Sequence, residues 1–354
     1  MEENVLANFI DISDDKEKAN YKKRLSRIIQ SANLNFLIGS GCSEPAIKVL
    51  GSTEKEVMEA YANGHDDEAE ELLHNFLIPF LENTKLLIEK NISTSVIAIE
   101  NYKSFIKNIS DILFNRKNNI IQSQAIVFTT NYDLLLEYAM NDINEYIILC
   151  DGFKRTTNIN NEYYFSSTEY FNSIFNTGNL YRYKVEIPTI NLMKIHGSLN
   201  WQKKNGKIVQ DLLYIKTADA IKNNKSIDKI KEFNSMFNFI LPQDKKLKMT
   251  ILDEIYYDLL RIYSNELDKE NTILITEGFS FADQHILEIT KRALKNKTLN
   301  LTVFCYNEND KTLASNIFSS YRNVDIISNS IDKLDFKLFN DFISEIITFN
   351  DDVE

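Results

Sequence analysis

Five short runs carry the side chains able to do chemistry. They are Gly39-Ser40-Gly41-Cys42-Ser43, Thr130-Asn131-Tyr132-Asp133, His196-Gly197-Ser198, Gly278-Phe279-Ser280 with Asp283 and His285, and Tyr306-Asn307-Glu308. Between them they supply glycine, small hydroxyls, a carboxamide, a carboxylate and an imidazole. An imidazole near its ordinary pKa of about 6.5 is mostly neutral at pH 7 and can take a proton from a hydroxyl or a water. A carboxamide such as Asn131 both donates and accepts, while a carboxylate such as Asp133 accepts. Glycines that follow a strand let backbone N–H groups approach a phosphate, or simply make a tight turn.

Taken singly, each run has a plainer reading. Gly39-Ser40-Gly41 lacks the third glycine of GxGxxG, Cys42 has no basic neighbour to lower its pKa, and Asn131 and Asp133 are favoured helix caps. His196 alone would be a hydrogen-bonded structural histidine, and His65 and His74 read as surface residues on a polar helix face. Only nine of 354 residues are glycine, so those retained belong where a side chain is forbidden. The three cysteines, Cys42, Cys150 and Cys305, form no CxxC pair, and none of the four histidines is spaced as a ligand pair. Neither a disulfide framework nor a zinc site is expected, and no metal.

Bringing these runs to one place requires a sheet. Apolar stretches at 35–38, 125–130, 145–150, 189–196, 272–276, 301–305 and 324–328 read as strands, and 21–32, 248–266, 283–295, 310–318 and 331–347 show helical spacing. The stretch at 35–38 runs straight into the glycine turn and a helix start. Residues 54–115 are helical throughout, with Pro79 as a break or kink. The polar stretches 151–188 and 202–247 read as irregular, with a hairpin turn at 203–206. Strands alternating with helices imply an α/β fold, a doubly wound and mainly parallel sheet wrapped on both faces. Ligands of such sheets sit beyond the carboxyl ends of the strands, where all five runs fall.

A strand with GSGCS, a strand with TTNYD, a strand with KIHG, a strand with GFS and a strand followed by YNE span about 35 to 310. This order resembles the NAD-binding core of the sirtuin family and is similar to the bacterial sirtuin-like proteins of antiphage defence. The resemblance implies a Rossmann-like domain that starts in 1–53, carries a helical insertion at 54–115 and resumes over 116–354. It makes His196 the catalytic base and Asn131 the holder of a water or ribose hydroxyl, with Asp133 accepting from the nicotinamide carboxamide. Gly39, Ser40, Gly41, Cys42 and Ser43 stand for the pyrophosphate loop, and Gly278, Ser280 and Asn307 for the adenosine side.

Two departures shape the expected activity. The paired CxxC motifs of the deacylase zinc ribbon are missing, and after Ser43 the chain reads EPAIKVLG where deacylases have Asp-Phe-Arg. Cleavage of the nicotinamide–ribose bond needs neither feature, because the leaving group is cationic and departs neutral. What it does need is stabilisation of an oxocarbenium-like ribose, exclusion of bulk water and one positioned nucleophile. The expected activity is an NAD+ glycohydrolase. A deacylase or ADP-ribosyltransferase, or a non-catalytic NAD or ADP-ribose sensor, is the alternative.

Charge and hydropathy narrow the partners. Fifty-one acidic against forty basic residues give a net charge of −11, which disfavours direct nucleic-acid binding. The longest apolar run, 76–81, is far below the ~18 residues of a membrane span, and the acidic start lacks the order of a secretory signal, so a cytoplasmic chain is expected. The resemblance further implies a homo-oligomer, paired with a HerA-type ATPase or another co-encoded defence protein. An enzyme that destroys a central cofactor needs such restraint.

Overall fold

The computed structural model describes residues 6–48, 53–117, 120–143, 145–155, 162–178, 184–237 and 251–349. Strand β1 (Asn8–Asp11) leads into helix α1 (Asp15–Ser31), whose N-cap Asp14 accepts from the N–H groups of Lys16 and Glu17. After β2 (Asn33–Ile38) come α2 (Thr53–Ala62), α3 (Asp66–Ile88) and α4 (Val96–Phe114). Of the break or kink expected at Pro79 the break does not occur, since Pro79 lies inside α3 without ending it. Strand β3 (Gln124–Thr129), α5 (Leu135–Asn141) and β4 (Ile148–Cys150) follow.

The stretch expected to be irregular is more ordered than its composition suggests. It holds β5 (Phe153–Lys154), β6 (Tyr164–Phe165), β7 (Phe175–Thr177) and β8 (Lys184–Glu186). Beyond β9 (Thr189–Lys194), β10 (Trp201–Lys204) and β11 (Lys207–Gln210) form an antiparallel hairpin. Its turn is the expected one, with Asn205 and Gly206 both at positive φ. Helices α6 (Tyr214–Ile221) and α7 (Ile227–Asn234) replace the expected irregular chain. The end of the chain alternates α8 (Ile251–Asp268), β12 (Thr272–Glu277), α9 (Gln284–Ala293), β13 (Leu299–Phe304), α10 (Glu308–Phe318), β14 (Val324–Ser328) and α11 (Phe336–Phe349).

Eight strands form one parallel sheet in the order β1-β14-β13-β12-β2-β3-β9-β4. The chain builds outward from β2 through β3 and β9, then returns to the other side of β2 to lay down β12, β13 and β14. This is a Rossmann-like doubly wound sheet with its switch point between β2 and β12. Alternation along the strands feeds two cores. Leu34, Phe36 and Ile38 face the layer of α1, α4 and α11, while Leu37 and Leu274 face that of α8, α9 and α10. Helix α4 packs on the sheet itself, the Phe105 ring meeting Phe36 edge to face at 5.1 Å. No helix among the described residues is long and apolar enough to cross a membrane.

Candidate active site

Strand register places the five runs side by side. Thr129 of β3 pairs with Lys194 of β9, so Asn131 and His196 each emerge two residues beyond neighbouring strand ends. Ile38 of β2 pairs with both Thr129 and Glu277, which sets the glycine run between the Asn131 run and the Gly278 run.

His196 is 3% exposed, and its ring lies 6.2 Å from that of Tyr132 and 6.1 Å from that of Tyr256. Its Nε2 is 2.8 Å from Oδ2 of Asp283, while Oδ1 of the same carboxylate caps α9 by accepting from the Ile286 N–H at 3.0 Å. Burial pushes the Asp283 carboxyl up, but the bond to His196 and the ring's charge outweigh it and hold it below the usual range. An ionised carboxylate only accepts, so Nε2 carries a proton, and whenever the ring is neutral the lone pair falls to Nδ1. Asp283 lies 87 residues from His196 in sequence; its signal there is that of a helix cap, and the pairing is visible only in three dimensions.

Asn131 reaches back to the glycine run. Its Nδ2 donates to the Gly39 carbonyl at 2.9 Å and to Ser43 Oγ at 3.1 Å, and its buried Oδ1 has no partner among the described residues. Ser43 Oγ donates to Asp133 Oδ2 at 2.8 Å and lies 3.1 Å from the Tyr102 hydroxyl, which α4 delivers. The other oxygen of Asp133 accepts from the Leu135 N–H at 3.1 Å, although Asp133 stands one residue before Leu134, the N-cap of α5. Behind these residues, buried Lys194 donates to the Asp133 carbonyl and to Ser198 Oγ, and pairs with Glu137 at 2.7 Å. It ties the TTNYD and KIHGS runs together, a role its place within a strand did not reveal.

The glycine run departs from the expected helix start. Ser40–Ser43 is a single 3-10 turn, and the N–H groups of Gly39, Gly41 and Cys42 bond to the carbonyls of Glu277, Gly278 and Gly39. A Cβ on Gly39 would stand 2.1 Å from the Gly278 carbonyl oxygen, and one on Gly278, at φ +63°, 2.8 Å from the Cys42 nitrogen. Close approach of two backbones therefore explains these glycines. The Cys42 thiol is fully buried against the Glu277 carbonyl, and burial raises its pKa well above the usual value. His74 also differs from its surface reading: it is buried, with Nε2 2.8 Å from the Lys222 carbonyl and its ring against Phe233 of α7. His65 is exposed and pairs with Glu68.

Beside this clasp, at the ends of β2, β12 and β13, opens a cavity of about 530 Å³. Ser40, Gly41, Gly278 and Ser280 line it; Asn131, Asp133 and His196 do not. Asn307 stands next to its wall, where its side chain caps α10 through the N–H groups of Asn309 and Asp310. Phe281, also lining the cavity, holds φ at +57°, a conformation costly for an aromatic residue. Among the described residues no group of three or more His, Cys, Asp or Glu side chains is arranged to hold a metal ion.

No curated protein matches the chain. Residues 125–327, more than half of the 354, match the family described as the SIR2-like domain, and they contain the Asn131, His196 and Gly278 runs at the carboxyl edge of a Rossmann-like sheet. The chain belongs to this NAD-using SIR2-like family.

Proposed function

We propose that the protein is an NAD+ glycohydrolase that converts NAD+ and water into nicotinamide, ADP-ribose and a proton. One observation carries this reading: a buried His196–Asp283 pair stands at the strand edge next to Asn131, whose Oδ1 is a buried acceptor without a partner among the described residues. Asp283 keeps the lone pair on Nδ1, the nitrogen that accepts a proton from the attacking water. Asn131 Oδ1 accepts from that water or from a ribose hydroxyl. The Tyr256 hydroxyl, buried with no partner among the described residues, is a second polar group beside the ring, and Tyr132 and Tyr256 keep bulk solvent away. The cavity at the β2–β12 switch point has the size of a ligand pocket and takes the adenosine half. In a bacterial defence setting this chemistry would deplete the host's NAD+.

The burial of His196 outside the cavity lining favours a second reading, a sensor that binds the nucleotide without turning it over. Incubation of the purified chain with NAD+ alone, followed by chromatography, separates the possibilities. Equal amounts of nicotinamide and free ADP-ribose support the hydrolase. A requirement for an acylated peptide would replace it with a deacylase, and binding without turnover would replace it with a sensor.

A further inference from the structure

Lys194, the last residue of β9, is 4% exposed, yet every donor of its ammonium is used. Nζ donates to the backbone carbonyl of Asp133 and to Ser198 Oγ at 3.0 Å, and it pairs with Glu137 Oε1 at 2.7 Å. Those acceptors come from three places: the run after β3 that carries Asn131, the turn after β9 that carries His196, and the first turn of α5. The Lys194 carbonyl also accepts from the Gly197 N–H at 3.1 Å, so one residue closes the turn twice, with His196 inside it. Gly197 stands in that turn at φ +89°, where no side chain stiffens the backbone. Stability alone does not call for a charge here, because a buried ion pair contributes little over apolar residues of like size.

We infer that Lys194 is a positioning residue for the His196–Asn131 site: its ammonium locks the turn bearing the imidazole onto the run bearing the carboxamide. The inference rests on the reading that these two side chains act on NAD+. Asp283 fixes the imidazole at Nε2, from the cap of α9, and does nothing for the backbone at Gly197. The bond from the Leu199 N–H to the Tyr132 carbonyl, at 3.0 Å, ties the two runs beyond that glycine, so it holds the fold without holding the ring. A shift of about 1 Å between a base and the group that holds its water costs on the order of 100-fold in rate. The same shift leaves the rest of a bound nucleotide where it was, so Lys194 acts on turnover and not on affinity. Burial pushes the Glu137 carboxyl up, and the charge and hydrogen bond of Lys194 offset this in part. Removal of Lys194 alone therefore leaves a buried carboxyl without its cation, and a clean test neutralises Glu137 with it.

Nicotinamide release, melting temperature and the nitrogen NMR spectrum of the histidine side chains, compared among wild type, Lys194→Met and Lys194→Met/Glu137→Gln, test this. Lys194→Met should melt lower than wild type, and the double variant should recover most of that loss because no charge is left unpaired. Its kcat should nevertheless stay at least about 30-fold below wild type, with KM for NAD+ within about 3-fold. Ser198→Ala, a milder change that keeps both charges, should show the same split at about 5-fold in kcat. In the spectrum, wild-type His196 should hold its proton on Nε2, and the double variant should show a mixture of the two tautomers. Activity that returns together with the melting temperature would overturn the inference, since Lys194 would then serve stability alone, and so would a loss confined to KM. A wild type that releases no nicotinamide would remove the hydrolase and leave the spectrum to decide. Unchanged His196 signals in the folded double variant would then overturn the inference, and mixed tautomers would uphold the positioning of the ring.

Discussion

At His196 one carboxylate does two jobs: Asp283 caps α9 with one oxygen and fixes the imidazole with the other. Asparagine caps a helix as well as aspartate does, but it offers Nε2 an amide that need not select the same tautomer. Asp283→Asn should therefore lower kcat at least about 100-fold while KM for NAD+ stays within about 3-fold and the melting temperature hardly moves. Unchanged kcat in a folded variant would reduce Asp283 to a cap. Glu277 and Asp283 also titrate in opposite directions. The Asp283 carboxyl is held low, so its contribution is present above the unfolded value of about 3.9 and is lost as pH falls through the folded one. The Glu277 carboxyl is held high, so above about 4.3 the unfolded chain releases a proton that the folded chain keeps, and stability declines as pH rises toward the folded value. Glu277→Gln should melt higher than wild type at pH 8, with the difference shrinking toward pH 4; a difference independent of pH would contradict the buried, proton-holding carboxyl. Of these residues His196, Asn131 and Asp133 were legible in sequence because their types follow strands. The pairing with Asp283 was not, since it joins two runs through the fold.

Among the elements, the glycine turn after β2 and the Gly278 turn after β12 are held together by hydrogen bonds and by the lack of side chains. A methyl on Gly39 meets backbone, which cannot rotate away, so Gly39→Ala should destabilise by about 1–3 kcal/mol or more. Chemical denaturation reads this, and a loss below about 0.5 kcal/mol would mean that the turns separate freely. Scarcity of glycine pointed to these positions, but the sequence did not reveal that they face one another. The parallel strands were legible as short apolar runs because both their faces are buried, as in Ile273, Leu274 and Ile275. Strand β1 escaped notice because NFID is four residues at a sheet edge, with Phe9 exposed. Helices α6 and α7 are eight residues each, set in polar chain, and Ile215, Ala218, Ile230 and Phe233 are the buried residues that supply their apolar face. Such helices draw their stability from α3, against which both pack, and their own sequence shows little sign of it. His74 departs from its surface reading for the same reason, because the Phe233 ring of α7 covers it.

On the scale of the whole molecule, α/β alternation and the edge carrying the site were legible, whereas the state of that edge was not. Asn131, Asp133 and His196 are buried, and none of them lines the cavity at the ends of β2, β12 and β13. We propose that assembly into a homo-oligomer, alone or with a co-encoded ATPase, controls access to these three residues. Light scattering of the purified chain should give at least twice its 41.1 kDa. A monomer with full activity that no co-encoded protein alters would contradict this. Whether His196 and its neighbours cleave the nicotinamide–ribose bond is read from nicotinamide released from NAD+ by the assembled wild-type protein and by folded His196→Ala, with any co-encoded partner present in both. The expected result is stoichiometric nicotinamide and ADP-ribose from the wild type and a loss of at least about 1000-fold in the variant, with ADP-ribose binding retained. Equal release by both proteins, or none from the wild type under any condition of assembly, would contradict it.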